Sequence, residues 1–193
     1  MKKQKLGFHI VLLGQIASGK DTQADLLKKD YVVQLVESGK YWRALAKKNT
    51  SDGDWVRRTT AKGKPAPVSL MKKFLVEQIE KKNKTKKLLF VGNPRLKPEG
   101  MLLNKLLKAK HEDYMVLYIT LPDKEIKKRS YARVRNEDDR KYVDIRIAWH
   151  KDQVSKTVAY FNSLGRLVKI NGNQTIEKVN KDIQKALQKH LEK

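Results

Sequence analysis

The chain has 193 residues, 39% hydrophobic and 34% charged, with a formal net charge of +23. That apolar content excludes a disordered chain, and no run approaches the ~18 apolar residues of a membrane span. The absence of cysteine rules out disulfide frameworks and cysteine-held zinc, and it fits a cytoplasmic protein.

FHIVLL at 8–13 is a short apolar run that stops at Gly14, as a buried strand does. It follows Lys2 and Lys3, but it is too short for an export signal and ends in a Gly-rich loop, not a cleavage site. A helix is expected from about Gly19, with Leu26 and Leu27 facing inward. YVVQLV at 31–36 is β-branched and reads as a second strand. Residues 38–48 look helical, whereas Gly53, Gly63, Pro65 and Pro67 predict a helix broken more than once over 49–67. After Pro67, the residues Val68, Met71, Leu75 and Ile79 recur at helical spacing. The lysines at 81–87 read as solvated surface.

KLLFVG at 87–92 is the third strand, and a leucine-rich helix covers 98–109. MVLYITL at 115–121 is the fourth strand, followed by a helix from Asp123 to about Arg133. A charged patch at 134–141 precedes a long helix to about Leu164. RLVKI at 166–170 is the fifth strand, and a last helix starts near Thr175. Strands alternating with helices predict an α/β fold of three layers, with a five-stranded parallel sheet and helices on both faces.

The sharpest motif is Gly14-Gln15-Ile16-Ala17-Ser18-Gly19-Lys20-Asp21-Thr22, which satisfies G-x-x-x-x-G-K between a strand and a helix. Glycines let the backbone curl so that its N–H groups face phosphate oxygens, and the helix N-terminus adds positive partial charge. Lys20 is placed to reach the β- and γ-phosphates. Asp21 stands where such loops carry Ser or Thr for Mg²⁺. Two roles are open to it: ligand to Mg²⁺, directly or through water, or cap of the helix.

Further stretches follow in order: Ser38-Gly39-Lys40-Tyr41-Trp42-Arg43, Lys62-Gly63-Lys64-Pro65-Ala66-Pro67, Gly92-Asn93-Pro94-Arg95, then Arg129, Arg133, Arg135 and Arg146. With the loop GQIASGKDTQADLL, these resemble the adenylate kinases and the wider nucleoside monophosphate kinase family over essentially the whole chain. The resemblance implies one P-loop kinase domain over 1–193, with a helical monophosphate-binding insertion at about 37–67 and a short lid at about 130–141. It implies a monomer that binds ATP, with Mg²⁺ and without zinc, together with a nucleoside monophosphate, AMP first. CMP, UMP and GMP are alternative acceptors.

The resemblance also assigns roles. Gly14, Ala17, Ser18, Gly19, Lys20, Asp21 and Thr22 would hold the ATP phosphates, and Arg129 would pack on its adenine. Ser38, Gly39, Arg43, Ala66, Gly92, Arg95 and Glu99 would hold the acceptor. Arg95, Arg133, Arg135 and Arg146, with Lys20, would surround the transferring group, since guanidinium pairs bidentately with phosphate. Four positions depart from the family. Lys40 replaces Asp, Asn93 replaces Phe, and Val91 replaces an Asp that organises water on Mg²⁺. Glu99 replaces a base-reading Gln, and an ionised Glu only accepts hydrogen bonds. His9, His111, His150 and His190 show no metal-ligand spacing and are expected to be structural or exposed. The +23 charge, Val91 and Asp21 leave a second reading of another class, a nucleotide-binding, RNA-associated protein with weak kinase activity, whose weak nonspecific binding of nucleic acid would depend steeply on salt.

Overall fold

The computed structural model describes residues 3–59, 66–132, 143–145 and 147–192. Five strands alternate with helices: β1 (His9–Gly14), α1 (Lys20–Asp30), β2 (Val33–Glu37), α2 (Ser38–Ala46), α3 (Ser51–Arg58), α4 (Val68–Glu80), β3 (Lys87–Val91), α5 (Lys97–Ala109), β4 (Tyr114–Thr120) and α6 (Asp123–Tyr131). A π-helical turn (His150–Val154) then runs into α7 (Ser155–Ser163), followed by β5 (Leu167–Asn171) and α8 (Ile176–Leu191). The sheet is parallel, in the order β2-β3-β1-β4-β5.

Alternation along each buried strand builds two cores. Ile10 and Leu12 of β1 pack with Leu89, Val91 and Met115 against Ala24 and Leu27 of α1 and Val179, Ile183 and Leu187 of α8. Val11 and Leu13 point the other way, with Phe90 and Val116, against Phe74 and Leu75 of α4, Leu103 and Leu107 of α5 and Phe161 of α7. Each fully buried leucine contributes about 1.5–3 kcal/mol through the apolar area it removes from water. A smaller third cluster joins Leu121, Ile126 and Ile147, with Ile16 against it.

The strand order positions the site. From β1 the chain crosses one face, through α1, to β2 on the far side of β3. From β3 it returns over the other face, through α5, to β4. The direction therefore reverses between β1 and β3, so their carboxyl ends form the switch point at which α/β folds bind ligands.

Three local expectations are corrected. Gly53 does not break the chain: it lies inside α3, whose N-cap Thr50 accepts from Gly53 N–H at 3.1 Å. A Cβ on Gly53 would stand 2.3 Å from the Lys48 carbonyl oxygen, so glycine is what allows α3 to fold back on α2. The helix expected to run unbroken to Leu164 contains the π-helical turn. Leu26 is only half-buried, while Leu27 is fully buried.

Buried Gln23 of α1 ties the two ends of the chain. Its Nε2 donates to the Ile176 carbonyl at 2.9 Å, and its Oε1 accepts from Asn180 Nδ2 at 3.1 Å. No helix among the described residues is long and apolar enough to cross a membrane.

Candidate active site

The loop after β1 is curled by two left-handed residues, Ala17 (φ 58°) and Gly19 (φ 82°). Such turns gather backbone amides into an anion-binding concavity, and a non-glycine residue in this conformation marks a functional loop. The loop is also tight, because a Cβ on Gly14 would lie 2.4 Å from Ser18 Oγ. Gly19 is the N-cap of α1 and offers no side-chain cap, so the helix's first amides face the loop unclaimed by one. Ser18 Oγ is buried without a hydrogen-bond partner, and a phosphate oxygen would satisfy it. Asp21 is 78% exposed, with Oδ2 3.9 Å from Lys20 Nζ. Thr22 is exposed as well.

The loop after β3 faces this one. Gly92 (φ 65°) donates its N–H to the Leu12 carbonyl at 2.9 Å, and a Cβ there would stand 3.1 Å from Lys20 Cε. The Lys20 side chain therefore lies across Gly92. Arg95 Nε donates to the Gly92 carbonyl at 2.9 Å, and the buried Thr157 hydroxyl of α7 donates to the Arg95 carbonyl at 2.7 Å. Asn93 is fully buried, and its Nδ2 donates to the carbonyls of Val36 (2.9 Å) and Val91 (3.1 Å). It thereby joins the ends of β2 and β3. Val91 itself is buried in the apolar core and brings no carboxylate to the site.

Glu99 sits at the start of α5, buried and not exposed. Its Oε2 accepts the N–H groups of Arg95 at 2.7 Å and Leu96 at 3.1 Å. Burial raises its pKa, more than those two bonds and the Arg95 charge lower it.

Ser38 is buried at the start of α2, and exposed Arg43 reaches back so that its Nη1 lies 3.4 Å from where a Gly39 Cβ would be. Ala66 is buried in the core beside α4. Tyr41 and Trp42 stack on Phe74, with centroids at 4.8 and 5.5 Å, and so hold α2 on α4. Lys40 pairs with Glu37 at 3.3 Å. Arg129 pairs with Glu125 at 2.6 Å and donates to the Gly172 carbonyl at 3.4 Å, which places it on the rim near the end of β5. Arg133, Arg135 and Arg146, residues 133–141 of the expected lid and the motif residues 62–65 lie outside the described residues.

Two residues at the site escaped the sequence reading, His150 and Thr157. His150, expected to be structural or exposed, starts the π-helical turn, and its Nε2 lies 3.1 Å from the Gly14 carbonyl oxygen. A carbonyl only accepts, so Nε2 carries the proton. Burial lowers the His150 pKa to about 4; the hydrogen bond to Gly14 opposes this, and the charges of Lys20 and Arg95 add to it. The imidazole is therefore neutral at pH 7. A histidine at the far end of a helix gives no local signal for this contact, and Thr157 was missed for the same reason.

The family profile for adenylate kinase matches residues 12–166, a span that holds both loops and the described helices between them. The chain belongs to the adenylate kinase family. It is similar to the adenylate kinase of Bacteroides fragilis, 28% identical over 184 residues, covering 93% of this chain and 97% of that one. It is also similar to the adenylate kinase of Leuconostoc mesenteroides, 26% identical over 180 residues (93% and 96%), and to adenylate kinase 1 of Synechocystis, 26% identical over 179 residues (92% and 96%). As a member of the adenylate kinase family the chain is a nucleoside monophosphate kinase-type enzyme, and its chemistry is phosphoryl transfer between nucleotides. The two facing loops suit that chemistry, since it asks of the protein alignment and charge stabilisation and no covalent nucleophile.

Proposed function

We propose that this enzyme transfers the γ-phosphoryl group of ATP to AMP, yielding two ADP. The observation that carries the reading is the meeting of the loops after β1 and β3 at the switch point, with the Lys20 side chain laid across Gly92 and Arg95 tied to the same glycine. In this reading Gly14, Ala17, Ser18, Gly19, Lys20, Asp21 and Thr22 hold the donor's phosphates. Lys20 follows the phosphoryl group as charge moves onto the leaving oxygen. Arg95 and Arg43 hold the acceptor phosphate, and Arg129 flanks the donor base. Arg133, Arg135 and Arg146 are assigned to the transferring group on their sequence positions alone.

Mg²⁺ arrives with ATP and neutralises charge between its β- and γ-phosphates. Among the described residues no cluster of three metal-ligating side chains exists. In this reading the ion is held by substrate phosphates, water and one carboxylate, and exposed Asp21 would be that carboxylate. The family resemblance implies that the enzyme acts as a monomer.

The test is a coupled assay of the purified protein with ATP, Mg²⁺ and each of AMP, CMP, UMP and GMP. AMP-dependent formation of ADP supports the reading. Turnover of another monophosphate alone would reassign the acceptor, and no turnover with any of them would overturn the reading.

A further inference from the structure

We propose that His150 is a positioning residue of the donor site, holding the peptide between Gly14 and Gln15 in the one orientation that lets the phosphate loop wrap an anion. This rests on the ATP-binding reading above. That peptide is gripped at both ends. Its carbonyl accepts from His150 Nε2 at 3.1 Å, and its N–H donates to the Ile119 carbonyl of β4 at 3.4 Å. A peptide unit held from opposite sides resists flipping, so the curl that follows starts from a fixed direction.

Two independent contacts reinforce the grip. The Gln15 side chain accepts from Leu121 N–H at 2.5 Å, which anchors the next residue to the end of β4. Ile16 packs into the small apolar cluster with Ile126 and Ile147, and Ile147 lies three residues before His150 on the same helical run. That run therefore touches the loop twice, once through carbon and once through nitrogen. The π-helical turn begins at His150, and such turns re-aim side chains, often at functional sites.

A neutral donor suits the position. Lys20 of α1 and Arg95 of the loop after β3 already supply charge around the ring, and Lys151 beside it is paired with Asp123 of α6. The role of His150 is then to orient and not to bind phosphate.

The test compares wild type with His150→Phe, which keeps a ring without the N–H, and His150→Gln, whose amide can reach the same carbonyl. Titration calorimetry reads the Kd for ATP, and steady-state kinetics read KM for donor and acceptor separately. His150→Phe should weaken ATP binding and raise the ATP KM about ten-fold, the scale of one lost hydrogen bond, with the acceptor KM little changed. His150→Gln should recover most of the loss. If His150→Phe does not fold, His150→Asn, whose shorter amide stops short of Gly14, takes its place beside His150→Gln. Wild-type ATP affinity in His150→Phe, equal losses for donor and acceptor, or no recovery in His150→Gln would each overturn the inference and leave the kinase reading intact. A wild-type protein that binds no ATP would instead remove the kinase reading itself, and this inference with it.

Discussion

The side chain of Lys20 rests on the bare backbone of Gly92, so closely that a single added carbon on the glycine would stand 3.1 Å from Lys20 Cε. The two residues belong to different loops, and the absence of a side chain on one sets the path of the other. Gly92 also has a φ of 65°, which side chains other than glycine adopt at a cost. Gly92→Ala should therefore lose about 1 kcal/mol or more of stability and displace the lysine. We expect kcat/KM to fall at least ~10-fold, the sensitivity of aligned transfer to small misplacement. Denaturant melts and steady-state kinetics read the two effects, and wild-type kinetics would show that Lys20 does not depend on this contact.

Thr157 fixes Arg95 from behind. Replacing it with valine keeps the shape but leaves the Arg95 carbonyl without its partner at 2.7 Å. The expected cost is about 1–2 kcal/mol of stability. The KM of the acceptor should rise several-fold while the ATP KM stays, since Arg95 is proposed to hold the acceptor. Equal changes in both KM values would contradict the assignment.

Glu99 should make the fold lose stability as its carboxyl ionises. Burial raises its folded pKa above the unfolded value, so the folded state binds the proton more tightly, and stability falls as pH rises above 4.5 and through the folded pKa. Glu99→Gln keeps an acceptor for the amides of Arg95 and Leu96 but cannot ionise. Its melting temperature should gain on wild type between pH 4.5 and 7.5, and a difference independent of pH would refute the claim.

His9 acts in the opposite sense, at the other end of the sheet. Its Nδ1 accepts from Leu88 N–H at 2.7 Å, and its Nε2–H donates to Glu112 at 2.6 Å. Burial lowers its pKa to about 4. Burial of Glu112 opposes its ionisation, but Lys82, Lys87 and His9 outweigh that and bring its pKa to about 2. For both groups the unfolded chain binds more protons, so stability falls with acid, first from pH 6.5 toward 4 and then from 4.5 toward 2. The first window is worth on the order of 3 kcal/mol for His9, and His150 adds to it in the same direction. In melts from pH 7 to pH 4, His9→Asn should be less stable at neutrality yet lose less on acidification; a slope identical to wild type would reject the assignment.

Asp21→Asn addresses the metal. If the exposed carboxylate holds Mg²⁺ through water, half-saturation by Mg²⁺ should rise about ten-fold with ATP fixed. An unchanged Mg²⁺ titration would leave Asp21 as a helix-start carboxylate only.

Much of this was legible in the sequence. Apolar runs that end at Gly14 and Gly92 mark strands leading into loops, because burial on two faces and sharp turns both write local signals. The parallel sheet followed from strands alternating with helices. What escaped depends on distant partners. Gly53 looks like a breaker until the Lys48 carbonyl arrives against it. Nothing local in the sequence marks Glu99 as buried, yet it is 1% exposed at the start of α5. His150 and Thr157 lie far along the chain from Gly14 and Arg95, and no spacing rule connects them. For Asp21 and Val91 the departures from the family pattern were visible, whereas the packing of Val91 into the core was not.

Gln23 gives the chain an order of assembly. It stands one turn after the phosphate loop, yet its hydrogen bonds go to Ile176 and Asn180, and the apolar face of α1 is covered by Val179, Ile183 and Leu187. During synthesis the loop leaves the ribosome well before its brace, because Gln23 and Ile176 are 153 residues apart. Until α8 has cleared the exit tunnel, α1 keeps that apolar face uncovered and the helix that carries the loop stays unbraced.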